Sequence, residues 1–452
     1  MTFTSIPFLI FLAVFLVVYG LCPERFRLWL LPIAGLVFML MNSVTAALWA
    51  VGLMAMNYMF GIFLRKTSSP KVLLGLGVTI NVMFLAAFKI GGTVPTGLSF
   101  YTFASIAYLV TIGRGQIEAE TNPLRYAAYA TFFPKYLMGP ITRYEELAPQ
   151  LDQPRYSISN LQVGLENFVV GFAMKIFIAD KLAILWNELL KTGFENISTP
   201  LAWLGIFSFS IQLYIDWQAY TLMAIGIARM LGFRLPQNFN YPYLARSIGD
   251  YYRRWHMTLT RWLKDFVYIP LGGNRRGLTR TVINILIVWL VTSLWHGVGW
   301  NFIFWGMSLG VLIIVEKLWV GKFLEKHKVL SHLWVLFFIP LTWCCFAITD
   351  TAELGKYFLR LFPIVKSTGV IVKGDFFQIL GSFAIYLILG ILFCFPLPEK
   401  LIHAFCTPSQ AKDGRSTNLR SWISCAVLAI LFWIAVYELK RSGNNPFMYL
   451  NF

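Results

Sequence analysis

Long apolar runs recur along the whole of this chain, near residues 6–22, 28–41, 44–64, 72–89, 161–179, 200–215, 281–295, 302–319, 333–348, 377–396 and 420–437. A helix needs about 20 apolar residues to cross the hydrocarbon core of a bilayer. In lipid, each spanning segment must also satisfy its own backbone polar groups. The runs are continuous and do not alternate at period two, which argues against a lipid-facing barrel. The expectation is therefore an all-α polytopic membrane protein with roughly ten to twelve spanning helices. Composition agrees. Only 13% of the 452 residues are charged, about half the share of an ordinary soluble domain. The 40 Phe, 20 Tyr and 16 Trp suit lipid-facing helices with aromatic belts. No linker, low-complexity tract or internal repeat interrupts the pattern, so residues 1–452 read as a single membrane domain. The opening stretch Met1–Leu21 has neither a basic leader nor a small-residue cleavage site, and reads as a retained first helix.

The formal net charge of +17 raises the question of a nucleic-acid partner. No soluble module carries a basic patch, so the excess is assigned to loops beside anionic lipid, and nucleic acid is set aside. Arg25 and Arg27 follow the first run, and Arg65, Lys66 and Lys71 follow the third. The positive-inside rule then puts both loops in the cytoplasm and the N-terminus outside. None of the six cysteines has metal-ligand spacing, and no metal site is expected.

The centre of the chain breaks the apolar pattern. Between residues 240 and 280, Asp250, Arg253, Arg254, Arg261, Lys264 and Asp265 fall on one side of a helix wound at 100° per residue. Trp255, Leu259, Trp262 and Phe266 fall on the other. This spacing predicts one amphipathic helix, too charged to span lipid, that lies at the interface or dips into a protein-lined cavity. Pro270 and the Gly272-Gly273-Asn274 turn end it. His256 sits at the margin of its two faces. His296 closes an apolar run and is followed by Gly297-Val298-Gly299. A histidine at membrane depth is a functional candidate by default, and it can take a proton from a hydroxyl at neutral pH. A core histidine bonded to a backbone carbonyl is the competing reading. Gly297 and Gly299 would let a ligand approach the backbone. His327, His332 and His403 lie in polar surroundings and read as solvated. Asp216, an acid inside an apolar run, reads as a hydrogen-bond partner for a neighbouring helix or a lining residue of a passage.

The stretch Tyr251-Tyr252-Arg253-Arg254-Trp255-His256-Met257-Thr258-Leu259, continued through Pro270-Leu271-Gly272-Gly273-Asn274-Arg275, resembles the signature of the membrane-bound O-acyltransferase (MBOAT) family. Trp295-His296-Gly297 with Trp300-Asn301-Phe302 resembles the family's histidine motif. Further matches are Ser99-Phe100-Tyr101, Phe132-Phe133-Pro134 with Gly139-Pro140-Ile141, Ile178-Ala179-Asp180, Asn238-Phe239-Asn240-Tyr241-Pro242 and the ending Pro446–Phe452. The likeness is strongest to the branch that O-acetylates exopolysaccharides such as alginate. It implies a ring of spanning helices with re-entrant or interfacial helices around a central tunnel, in a bacterial inner membrane. It also implies transfer of an acyl group, expected to be acetyl, from a cytoplasmic thioester donor to a hydroxyl of an extracytoplasmic polysaccharide or partner protein. The donor, acetyl-CoA or an acyl carrier protein, is a substrate, and no bound cofactor is expected.

The resemblance implies His296 as general base and His256 as the residue that orients the donor or stabilises the oxyanion. Arg253, Arg254, Arg261 and Lys264 would hold donor phosphates, or alternatively lipid headgroups. Asp216, Trp295, Gly297 and Asn301 would shape the tunnel. One departure bears on the acceptor: this chain reads Asp216-Trp217-Gln218-Ala219 where the family usually carries a Ser-Gly pair and an acid. Three alternatives stay open: D-alanyl transfer to teichoic acids from a carrier protein, a glycan or lipid transporter, and a non-catalytic relay subunit supporting a periplasmic acetyltransferase.

Overall fold

The computed structural model describes residues 1–92, 94–364, 369–406 and 414–442, and every regular element among them is helical. The described residues gather into two groups, 1–172 with 220–237 and 439–442, and 173–219 with the described part of 238–438. The C-terminal resemblance at 446–452 and the side chain of His403 lie outside the described residues.

The first group opens with α1 (Ile6–Leu21), α2 (Glu24–Asn42), α3 (Val44–Leu64), α4 (Pro70–Ile90) and α5 (Leu98–Gly113). It continues through α6 (Pro123–Ala130), α7 (Tyr144–Asp152) and most of α8 (Ile158–Met174). Sequence sets several boundaries directly. Ser43 starts α3 by accepting from the Ala46 amide, and Asn122 starts α6 by accepting from Leu124 and Arg125. Asn57 on α3 and Asn81 on α4, both fully buried, exchange amide hydrogen bonds at 3.1 and 2.8 Å. Such pairs join helices where lipid offers no hydrophobic drive to do so.

The second group contains α9 (Asp180–Thr192), the first part of α10 (Thr199–Met230), α11 (Ile248–Arg254), α12 (Met257–Leu263) and α13 (Gly277–His296). After them come α14 (Trp300–Val315), α15 (Gly321–Lys326), α16 (Lys328–Ala347), α17 (Thr351–Leu361), α18 (Asp375–Phe393), α19 (Pro396–Cys406) and most of α20 (Gly414–Ser442). A tight antiparallel pair, α13 and α14, is made by small residues. A Cβ on Gly306 would sit 2.0 Å from the Ser293 hydroxyl, so only glycine allows this approach.

Among the described residues, seven helices are long and apolar enough to cross a membrane: α3, α4, α13, α14 continued into α15, α16, α18 and the 422–442 part of α20. The apolar runs led to an expectation of ten to twelve. The difference has physical causes. α1 and α5 are apolar but have only 16 residues each, about 24 Å of helix against a core of about 30 Å. The run near 200–215 belongs to α10, a 32-residue helix that buries Ser208, Ser210, Gln212, Asp216 and Thr221 inside protein. Apolar sequence there reports burial among other helices, not contact with lipid.

The single amphipathic helix expected over residues 250–266 is a second difference. The chain forms α11, breaks at Trp255-His256, and resumes as α12 and a wide five-residue turn at Lys264–Tyr268. At the break, His256 takes left-handed backbone angles, φ 41° and ψ 55°. A periodic pattern cannot reveal such a break, because the residues on either side keep helical spacing.

Candidate active site

His256 starts α12, and its own backbone makes the break. Among the described residues only it and Tyr241 combine a side chain with positive φ. That conformation costs about 1–2 kcal/mol in an L-residue and persists only where the surroundings impose it. The imposing partner is the segment that begins at Asn238. The Met257 amide donates to the Asn238 carbonyl at 2.8 Å, and the Asn240 amide donates to the Arg254 carbonyl at 3.0 Å. The Asn238 side-chain oxygen accepts from the Thr258 hydroxyl at 2.6 Å and the Thr258 amide at 3.4 Å. Because it accepts a backbone N–H, that atom is an oxygen. It lies 3.1 Å from His256 Nδ1, which must therefore carry the proton in this contact. The neutral imidazole then presents a lone pair at Nε2. Burial pushes its pKa down to about 3, so the ring is neutral across the physiological range.

His296 is the last residue of α13 and is 7% exposed. Its ring is enclosed by Trp305 at 4.8 Å and Phe346 at 5.2 Å, both edge-on, and by the neighbouring Trp295 at 4.3 Å. The two histidines share one aromatic wall. Trp305 stacks on Trp343 at 5.7 Å, Trp343 meets Trp255 at 5.2 Å, and Trp255 meets Trp217 at 6.0 Å. Trp217 lies 4.3 Å from the His256 ring.

The glycines after His296 pack against the residues that follow them. A Cβ on Gly297 would fall 2.6 Å from the Phe302 ring, and one on Gly299 would fall 2.4 Å from the Asn301 side-chain oxygen. Protein already fills both spaces. These glycines therefore admit Phe302 and Asn301 against the turn. Asn301 is buried in consequence, at 2% exposure, and Trp295 is half-buried.

Arg253 and Arg254 both pair with Asp250, at 3.3 and 3.0 Å, while Arg261 and Lys264 stand beyond the break. Arg253 and Lys264 are the solvent-facing members. Asp216 is 1% exposed and is bound by Lys175 Nζ at 2.7 Å. Lys175 also holds Asp180 at 2.7 Å. Of the remaining histidines, His327 is exposed, whereas His332 bonds through Nδ1 to the Ala245 carbonyl at 3.1 Å.

Two partners escaped the reading of the residues. Asn238 carried a signal, since it opens the Asn-Phe-Asn-Tyr-Pro-Tyr stretch. Lys175 carried none, because its partner stands 41 positions away.

Comparison with known proteins bears on this arrangement. The profile of the MBOAT, membrane-bound O-acyltransferase family matches residues 116–324, a stretch that holds both His256 and His296. The chain is 36% identical to a probable alginate O-acetylase of Pseudomonas aeruginosa, over 70% of this chain and 66% of that one. It is 33% identical to the corresponding protein of Pseudomonas syringae, over 80% of this chain and 75% of the other. A peptidoglycan O-acetyltransferase of Helicobacter pylori shares 29% identity over 94% of this chain and 91% of its own. With this likeness extending over most of its length, the chain belongs to the membrane-bound O-acyltransferase family and is an acyltransferase of a multi-pass membrane type.

Proposed function

We propose that this protein transfers an acetyl group from a cytoplasmic thioester, acetyl-CoA or an acyl carrier protein, to a hydroxyl of an extracytoplasmic polysaccharide. The membrane is a bacterial inner membrane, and proteins that process the polysaccharide are its partners. The relatives named for O-acetyl transfer to two different glycans support the acyl group and the acceptor class. The observation that carries the chemistry is the burial of His296 at the end of a spanning helix, inside an aromatic enclosure and within the family-matched stretch.

In this mechanism, the His296 imidazole removes the proton of the acceptor hydroxyl as its oxygen attacks the thioester carbonyl. The carbon–sulfur bond breaks, and the proton passes to the departing thiolate. The hydrogen bond between His256 Nδ1 and Asn238 supports a role for His256 as an acceptor at Nε2, which suits holding the hydroxyl better than donating to an oxyanion. Arg253 and Arg254, already paired with Asp250, are suited to surface attraction of a phosphate-bearing donor more than to a tight clamp.

The test uses purified protein, radiolabelled acetyl or D-alanyl thioester, and oligosaccharide acceptors. Ester formation with labelled acetyl is expected. Label that crosses a vesicle membrane without forming an ester would instead identify a transporter. Ester formation only from the D-alanyl thioester would overturn the choice of acyl group. His296→Gln, which cannot hold a proton, should lower the rate by about 10² to 10⁴ with the fold intact. Full activity of that folded variant would remove His296 as the base.

A further inference from the structure

Lys135 lies in the first group of helices, in the short turn Phe133–Lys135, and has no part in the chemistry above. It is 6% exposed, and its ammonium has neither a hydrogen-bond partner nor an ion pair among the described residues. Its one near neighbour of matching polarity is the face of Tyr129, with Nζ 3.3 Å from the ring centre. A cation–π contact of this kind contributes roughly 2 kcal/mol when desolvated, far less than the cost of burying an unpaired ammonium. The Tyr101 hydroxyl, on a residue 4% exposed, also lacks a hydrogen-bond partner.

Both groups line one small cavity of about 20 Å³, walled by Tyr101, Ser105, Tyr126, Tyr129, Lys135 and Tyr136. That is room for one or two waters or a group of similar size. Tyr101 and Tyr136 stack at 5.6 Å and hold the wall in place. The Tyr129 hydroxyl is already spent on the Thr142 carbonyl. What remains is three N–H donors of Lys135 and the O–H of Tyr101, a set that calls for an acceptor-rich occupant.

We propose that this cavity takes in one oxygen edge of a small oxyanion, a carboxylate or phosphate group, held by the Lys135 ammonium and the Tyr101 hydroxyl. Charge supports it. Burial alone pushes the Lys135 amine well below its usual range, with only the Glu146 carboxylate pulling the other way. Glu146 is itself engaged by the Arg143 amide. The remaining titratable groups facing the amine are the phenols of Tyr101, Tyr126, Tyr129 and Tyr136, which ionise far above neutral pH. An arriving anion stabilises the ammonium, so binding takes up a proton and weakens as pH rises. The site does not rest on the reading of His296.

The experiment is thermal unfolding of the purified full chain, in two arms. In detergent, sodium acetate or inorganic phosphate replaces sodium chloride at constant ionic strength. In nanodiscs, phosphatidylglycerol is compared with phosphatidylcholine alone. The unfolding midpoint should rise with an anion in at least one arm. A rise with free anion assigns a soluble ligand, and a rise only with phosphatidylglycerol assigns a lipid headgroup. Lys135→Met and Tyr101→Phe should each weaken the effect, the first by about tenfold to a hundredfold in apparent affinity. No anion dependence in the parent chain overturns the proposal, as does a dependence unchanged in both variants. If Lys135→Met fails to fold, Tyr101→Phe decides: an undiminished response there overturns the site.

Discussion

At the scale of single residues, His256 and His296 are held in different ways. His256 is held by polar contacts, with Asn238 fixing both its tautomer and its strained backbone. His296 sits at the end of a helix with its ring against Trp305 and Phe346. Replacement should separate them. Gln at position 256 retains an acceptor oxygen, so His256→Gln should keep more activity than His296→Gln, whose rate should fall by about 10² to 10⁴. Equal inactivity of the two folded variants would show that the histidines act as one unit. A pH effect belongs to His256 as well. Its folded pKa, about 3, lies below the unfolded value near 6.5. The unfolded chain therefore binds the extra proton first, and stability falls as pH drops from about 6.5 towards 3. His256→Gln should flatten that acid limb in unfolding measurements. An unchanged limb would mean that the ring is not buried in its neutral form.

At the scale of elements, the irregular turns carry the polar contacts of the second group of helices. The five-residue turn Lys175–Ala179 sets Lys175 between Asp180 and Asp216. A similar turn at Glu316–Val320 sets Glu316 against the start of α11, where its carboxylate accepts from the Ile248 and Gly249 amides at 2.5 and 3.1 Å. Wide turns of this kind are uncommon and often mark functional regions. Asp216 immediately precedes Trp217, whose ring packs on His256, so the Lys175 ion group helps set the wall behind that histidine. Removing one partner of a buried pair strands the other charge, at about 3–5 kcal/mol. Lys175→Met should lower stability by about that amount, and the surviving folded fraction should lose activity in parallel. A variant as stable as the parent would show that the two carboxylates are protonated or hydrated without the lysine.

At the scale of the whole molecule, orientation in the membrane rests on charge. The loop holding Arg65, Lys66 and Lys71 should be cytoplasmic, with the N-terminus outside. In a chain whose exposed native cysteines are replaced, cysteine at Thr2 should react with an impermeant thiol reagent applied from outside. Cysteine at Ser68 should not. The reverse pattern would invert the orientation. Both cysteines reacting alike would mean an even number of crossings between them, with the 16-residue α1 or its neighbour α2 not spanning the bilayer.

Sequence alone determined the solvent of this protein, its helical class and the two candidate histidines. Lipid imposes its demands on every spanning residue, so apolar runs record them locally, and the motif order around residues 251–302 marks the histidines. Tertiary structure decided what local spacing cannot encode. Whether an apolar helix meets lipid or other helices depends on its neighbours, which is why α10 reads as a span yet buries polar side chains. The break at His256 exists because Asn238, 18 residues earlier, binds the backbone and imidazole there. The tight turn after His296 is closed by Phe302 and Asn301 filling the space that Gly297 and Gly299 leave. Asp216 is settled by Lys175, 41 residues away, and a buried charge finds its partner only when the chain has folded around both.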